Sequence, residues 1–517
     1  MYSALVAVLT GCAVGPDFTP PPAPNVGSLT PHPLRTPGTA AGETQRFAHG
    51  LDIPGDWWAL FHSRPLNDLV ERALRDNNDL QTAQAALRAA NAAVEAQRGF
   101  FYPTIGASYN GVPQKAASSV LVPSTPTTTP FFTLQTATLA VSYAPDVFGG
   151  NRRIVETLEA QAEAQRFMLE ATYLTLTSNI ALGAVQEASV RGQIAATHRV
   201  IAIEKELLEL TRRQFNAGQI GRIDLATQEA ALAQAEQTLP SLEKQLALQR
   251  DLLTALSGHF AGEGLPERFE FASMWLPHEL PLSLPSQLVQ QRPDVRAAEA
   301  NFHAAVAHVG VAIAARLPQF NLTGTNVGRQ AASFADLFAC NVLVPLDPAP
   351  CTFWAIAGNV TQVVFDGFTL EQQQRAAEAG LDQAAAQYRS TVVTAFQNVA
   401  DALQALESDA RALRAAVASV RAAKISLDLT RQQLERGQVS ALQVLTVENT
   451  YLQALLSEIQ AKTNRYADTV ALFQALGGGW WNRSDVEAER YGDWRTRIEA
   501  AVSEVSARLV ESGSQSQ

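Results

Sequence analysis

Three cysteines and eight histidines are the first places to look for chemistry in this 517-residue chain. His303 and His308 stand five apart, so they do not share a helix face as i,i+4 metal ligands would. No HExxH, GxSxG, P-loop or dinucleotide fingerprint occurs, and no constellation of residues points to an enzyme. Cys12 is different. An apolar stretch over residues 2–9 runs into Leu9-Thr10-Gly11-Cys12. A short apolar run, small residues and then Cys is the pattern of a bacterial lipoprotein signal, with Cys12 becoming an acylated N-terminus after cleavage. An ordinary buried cysteine is the plainer alternative. No Lys or Arg precedes the run and the run is short, so the natural start is expected upstream of Met1. A cysteine carrying two or three acyl chains would hold a protein stably on a membrane. Beyond that covalent lipid, no cofactor and no metal are expected.

The bulk numbers narrow the partners. The net charge is −11 and no basic stripe stands out, which argues against nucleic acid. Charged residues make up 17% of the chain and hydrophobic ones 47%. That charge fraction is below the roughly 25% of soluble domains. Yet no run of about 18 apolar residues offers a transmembrane helix, so membrane contact has to come through strands or a lipid.

The elements that would position any site appear twice. Residues 210–220 read LTRRQFNAGQI and residues 429–439 read LTRQQLERGQV, which places Gly218 on Gly437. Residues 78–103 align without a gap on residues 293–318. The chain is therefore two copies of one unit of roughly 200 residues, a period too long for a solenoid. The divisions are a signal remnant at 1–11, an extended proline-rich, lipid-anchored arm at 12–55, a first repeat at 56–258, a linker at 259–284, a second repeat at 285–479 and a tail at 480–517. Seven prolines between Pro16 and Pro33 keep the arm extended. The tail is charged and ends Ser-Gly-Ser-Gln-Ser-Gln, so partial disorder is expected there.

Within each copy the pattern predicts a helix (65–101, 285–316), a pair of strands, a very long helix and a return helix. The helices end at Pro103 and Pro318, because the residue before proline disfavours helix. Strands are expected at 104–110, 132–144, 321–327 and 353–364, with alternation clearest in TATLAVSY at 136–143. The long helices, 151–217 and 369–436, contain no proline, and about 67 residues would reach roughly 100 Å. Leu413, Val417, Val420, Leu427 and Leu434 mark one face of the second. Return helices are expected at 224–256, bent at Pro240, and at 441–476. Four strands cannot close a barrel, and an open edge is not viable in lipid, so a membrane role requires several copies of the chain.

Taken together, these pieces resemble the outer-membrane efflux channels of the TolC and OprM type, lipoprotein branch. The matching segments are Cys12-Ala-Val-Gly-Pro-Asp-Phe, Trp57-Trp58, Arg292-Pro293-Asp294-Val295-Arg296, Phe365-Asp366-Gly367, the two Gln-Gly turns and Ala475-Leu476-Gly477-Gly478-Gly479-Trp480. Their order and spacing cover about residues 12–481. The resemblance implies a mainly α fold with a β-barrel part. It would be a homotrimer with a twelve-stranded barrel in the outer membrane and a twelve-helix barrel in the periplasm. It further implies a periplasmic adaptor and an inner-membrane pump as partners, and passive conduction of small molecules. A type I secretion channel is the near alternative, and a periplasmic coiled-coil adaptor is the alternative from another class.

The same resemblance supplies candidate site residues. It puts the loop holding Cys340 and Cys351 outside the cell, where a disulfide between them would persist. It assigns adaptor docking to Gly218, Gln219, Ile220 and Gly221 and to Gly437, Gln438, Val439 and Ser440. The glycines would in any case cap the preceding helices. It places a periplasmic gate just beyond each turn, with Asp224 in copy one and Leu442, Gln443, Thr446 and Glu448 in copy two. Asp224 also reads as a helix cap, and Ser440 with Gln443 as a capping box.

Overall fold

The computed structural model describes residues 13–22, 24, 28–30, 38–40, 43–115, 131–282, 285–331, 334–339 and 352–483. Cys12, Cys340, Cys351 and the tail beyond Arg483 lie outside the described residues. The chain divides into two compact units, one of residues 1–20, 88–163 and 300–386, the other of residues 21–87, 164–299 and 387–517.

In chain order, two short strands come first, β1 (Gly38–Ala40) and β2 (Glu43–His49). Copy one supplies α1 (Arg64–Asp76), α2 (Asn78–Arg98), β3 (Thr104–Lys115), β4 (Phe131–Tyr143), α3 (Gly150–Asn216) and α4 (Arg222–Leu256). Strand β5 (Glu279–Leu282) follows. Copy two supplies α5 (Pro285–Gln291), α6 (Pro293–Ala314), β6 (Gln319–Ala331), a short α7 (Phe334–Ala339), β7 (Thr352–Thr361), α8 (Thr369–Glu435) and α9 (Ala441–Ala475).

The single opening helix expected in each copy is broken, at Asn77 and at Arg292. Asn77 is extended (φ −68°, ψ 127°). Its Oδ1 accepts the Leu80 N–H at 3.0 Å and its Nδ2 donates to the Leu256 carbonyl at 3.0 Å. It thus caps α2 while tying the break to the end of α4. In copy two the break precedes Pro293, whose ring disfavours helix at Arg292. The long helices keep their expected extent to within a residue, 67 residues each. Pro240 lies inside α4 without ending it.

The unit that contains residues 88–163 and 300–386 is built on one four-stranded sheet in the order β3-β4-β6-β7, antiparallel throughout. The two hairpins are joined at its centre by β4 and β6. Each strand pair hands over to its long helix through an aspartate. Asp146 accepts the Asn151 and Arg152 N–H groups at 2.9 Å each, and Asp366 accepts those of Thr369 (3.1 Å) and Leu370 (2.8 Å). The N-terminal arm is pinned here. Arg153, on the first turn of α3, donates to the carbonyls of Val14 (3.0 Å) and Gly15 (3.3 Å), to Asp17 (2.7 Å) and to Glu156 (2.8 Å). The arm crosses α6 where two glycines meet: a Cβ on Gly15 would stand 2.4 Å from the Gly310 Cα.

The other unit holds the main core. Trp57, Phe61, Tyr466 and Phe473 are fully buried, with Trp57 stacked on Phe473 at 5.4 Å between centroids. Each such side chain contributes roughly 2–3 kcal/mol by leaving water. Segment 259–284 is part of this core and not merely a connection, since Leu265, Phe269, Met274, Leu276 and Leu280 are buried in it. A small sheet, β1-β2-β5, was not legible from the strand patterns. It pairs the arm in parallel with β5, Phe47 opposite Leu280. Buried Arg465 donates to the Gln45 side chain at 2.8 Å, and Gln45 donates to Thr469 at 3.2 Å. The first residues assigned to the tail are packed too. Trp480 donates to the Gln291 carbonyl (2.7 Å) and Arg483 to Glu170 (2.6 Å).

Candidate functional site

The four-stranded sheet has two chemically distinct faces. Register partners share a face. Ile105, Val141, Gly324 and Ile356 form one row across all four strands, and Tyr143, Leu322 and Gly358 form another. Ile105, Ile356, Trp354 and Val360 on this face are 64–76% exposed in the single chain. The opposite face carries Thr104, Ser142, Thr323 and Ala357 in one row, and Ser108 with Thr138, hydroxyl to hydroxyl at 2.7 Å, in another. An apolar band on one side and a polar surface on the other is what a strand needs to separate lipid from a water-filled lumen. Among the described residues, β3 and β7 each pair with one strand only, so the sheet ends in two open edges. Among the described residues, no helix is long and apolar enough to cross a membrane.

The two turns are built alike, as the duplicated segment implied. Gly218 and Gly437 hold φ of +75° and +69°. The Gln219 N–H reaches back to the Gln214 carbonyl and the Gln438 N–H to that of Gln433, both at 2.9 Å. These are the six-to-one bonds of a Schellman cap, which only a residue at home in the left-handed region permits without strain. Gln219, Gly221, Gln438 and Ser440 are exposed, while Ile220 and Val439 are half-buried. The turns therefore offer glutamines at the surface and fold one apolar side chain back.

Beyond the turns, the copies diverge. Asp224 is exposed and accepts the Gly221 N–H at 3.1 Å, so it does act as a helix cap. The capping box expected of Ser440 and Gln443 does not form: the Ser440 side chain makes no cap bond, and the Gln443 N–H goes to the Ser440 backbone carbonyl at 3.1 Å. The Ser440 backbone itself supplies that acceptor. Leu442 is 61% exposed, a large apolar side chain facing out near the turn. Gln443 and Thr446 are exposed as well, with the Thr446 hydroxyl donating back to the Leu442 carbonyl at 2.9 Å.

Glu448 departs from this group. It is 1% exposed, and neither carboxylate oxygen meets a donor. It faces Glu204 of α3, itself buried, which accepts a hydrogen bond from buried Gln228 of α4. Burial in the first place, and then the neighbouring Glu204 charge, push the Glu448 carboxyl up to about 8. Burial also raises Glu204, against the opposing effect of its Gln228 hydrogen bond. Arg431 of α8 pulls Glu448 the other way, but it is already paired with Glu206 at 2.6 Å.

Glu204, Gln228 and Arg431 are partners of this site that the family resemblance does not supply. A signal for it exists. Val200, Glu204, Leu207 and Thr211 are all buried on one face of α3, as are Val444, Glu448 and Tyr451 on α9. A glutamate in each interior stripe is the anomaly to look for.

The family model described as outer membrane efflux protein matches residues 69–259 and 284–478. The chain belongs to the outer membrane efflux protein family. The two matched segments coincide with the two copies, and members of the family are transport ducts and not enzymes. Among individual relatives, the pyoverdine export outer membrane protein OpmQ of Pseudomonas putida is 28% identical over 434 residues, covering 82% of this chain and 88% of that protein. The toluene efflux pump outer membrane protein TtgC of Pseudomonas putida is 26% identical over 482 residues, 92% of this chain and 94% of the relative. Among solved structures, the outer-membrane channel OprN superposes with a TM-score of 0.78 at 24% identity, covering 91% of this chain and all of that one. The CmeC outer membrane channel of Campylobacter jejuni gives 0.79 at 22% identity, covering 92% and 97%. The fold of this efflux protein, long helices with an antiparallel sheet, is that of these channels.

Proposed function

We propose that this outer membrane efflux protein is the exit duct of a tripartite system, conducting small molecules from an inner-membrane pump of the resistance-nodulation-division class and a periplasmic adaptor to the cell exterior. The observation that carries the reading is the two-faced sheet with open edges at β3 and β7. Unpaired edge groups in hydrocarbon cost several kcal/mol each. Pairing β7 of one copy with β3 of the next satisfies them, and three copies would give twelve strands. The energy for transport comes from the pump, and the duct only opens and closes. Cys12 carries the lipid that holds the arm to the membrane, and Cys340 and Cys351 close a disulfide in the external loop. The exposed turn residues Gln219 and Gln438 meet the adaptor, and Asp224, Leu442, Gln443 and Thr446 narrow the periplasmic mouth. The relatives named for pyoverdine and toluene export make small organic molecules the expected cargo.

The test has two arms. The purified full-length chain should run as a trimer in detergent by native mass spectrometry. A strain lacking it should accumulate dyes and become sensitive to a drug panel, with recovery on complementation. A detergent-free soluble monomer, or a deletion with unchanged accumulation across the panel, would overturn the reading.

A further inference from the structure

We propose that Glu204 and Glu448 share a single proton and so form a clasp that fastens α9 to α3 beside the two turns, releasing when the proton leaves to solvent. Glu448 has two buried oxygens and no donor, and the group it faces is another carboxylate. Two ionised carboxylates cannot bond to each other. One protonated and one ionised carboxylate can, through an O–H···O bond of the strong, charge-assisted kind. The arrangement is then complete: Gln228 donates to Glu204, and protonated Glu448 donates to Glu204 as well.

The surroundings favour one proton over none. The clasp sits in a small apolar core of Leu207, Leu427, Val444 and Tyr451. The charged groups bearing on Glu448 are Glu204 and Glu206 of α3 and Arg431 of α8, and Gln228 of α4 is neutral. Arg431 is paired with Glu206, and among the described residues no other cation bears on Glu448. Glu204 stands fourteen residues before Gly218 and Glu448 eleven after Gly437. At 1.5 Å per residue they lie about 21 Å and 16 Å along their helices from their turns. The clasp thus couples α3 and α4, which meet at the first turn, to α9, which begins at the second.

Losing the proton breaks the Glu448 O–H bond, passes the proton to water and leaves two negative charges facing each other in an apolar site. Repulsion and desolvation then push α9 from α3. The carboxyl that burial holds near 8 sets the range: the clasp is closed at acidic and neutral pH and opens as pH rises through that value. This does not depend on what the duct carries, and it holds for the chain even if the transport reading fails.

The test is hydrogen exchange of full-length protein in detergent, followed by mass spectrometry at pH 6, 7.5 and 9 and corrected for intrinsic rates. Residues 200–212 and 444–452 should exchange at least tenfold faster at pH 9 than at pH 6 in wild type. Glu448→Gln supplies a permanent donor to Glu204 and should abolish that difference. If that variant does not fold, Glu204→Gln reverses the roles and should do the same. Spin labels on exposed Gln219 and Gln438 give an independent distance that should lengthen above pH 8 in wild type only. Exchange and distance unchanged between pH 6 and 9 in wild type would overturn the clasp, as would a glutamine variant that keeps the full pH dependence.

Discussion

Arg153 should be the pin of the N-terminal arm, and its removal tests that role directly. Its side chain is 4% exposed. It makes two bonds to arm carbonyls, one to Asp17 and one to Glu156. Asp17 is 88% exposed, so that ion pair contributes no more than about 1 kcal/mol. On Arg153→Ala the half-buried Val14 carbonyl would lose its donor at about 1–3 kcal/mol, and the Gly15 carbonyl, where the chain is exposed and water can substitute, at about 0.5–1.5 kcal/mol. Together the arm should be loosened by about 2–5 kcal/mol, some thirtyfold or more in its opening equilibrium. The Val14 N–H, which donates to the Phe148 carbonyl at 3.1 Å, reports it. Hydrogen exchange at Val14 should accelerate accordingly in the full-length protein in detergent. Gly310→Ala offers a check that leaves the charge alone, because the added methyl would lie 2.9 Å from the Arg153 side chain and from the Val14 carbonyl oxygen. Protection at Val14 unchanged within threefold in both variants would refute the pin.

Three further outcomes follow from the same geometry. Gly218→Ala or Gly437→Ala should each destabilise its turn by about 1–2 kcal/mol through the left-handed φ alone, since a Cβ there meets nothing within 4 Å; exchange of the flanking helix ends measures it, and Gly→Asn should cost less. Asp409, with one buried and unpartnered oxygen, is pushed up to about 7 by burial and then by Asp468. The folded protein keeps that proton while the unfolded chain loses it near 4, so stability should fall as pH rises from about 4 to 7, by up to about 1.4 kcal/mol per unit. Asp409→Asn should flatten that slope in urea titrations. Trp354→Arg on the apolar face of β7 should cost up to about 2–4 kcal/mol, least if the site lies near the headgroups; folding yield into detergent or liposomes reads it, and Phe353→Arg, on the other face, provides the comparison.

Much of this architecture was legible because duplication and periodicity report backbone geometry. The matching turns at Gly218 and Gly437 announced a shared cap, and both carry the same six-to-one bond. The long proline-free stretches foretold two 67-residue helices, since nothing in them interrupts the backbone ladder. What escaped were features made by distant partners. The break at Asn77 depends on the Leu256 carbonyl, far along the chain, and no local pattern shows that. Strands β1, β2 and β5 are short and become strands by pairing with one another, so their own residues say little. The buried pair Glu204 and Glu448 looks like two ordinary helical glutamates until α3 and α9 are side by side.

The small sheet and its neighbours set an order on folding. Residue 45 binds residues 465 and 469, and residue 291 receives Trp480. These contacts close loops of some 190 to 420 residues, the slowest kind to form. On a chain emerging from the ribosome, the main core would stay open until nearly its last described residues had been made. Chains cut short would leave Gln45 and the Trp57 pocket without partners, exposing apolar surface to proteases and chaperones. Gln45 on the arm waits for Arg465 and Thr469 of α9, so the main core closes only after the segment that carries α9 has been made.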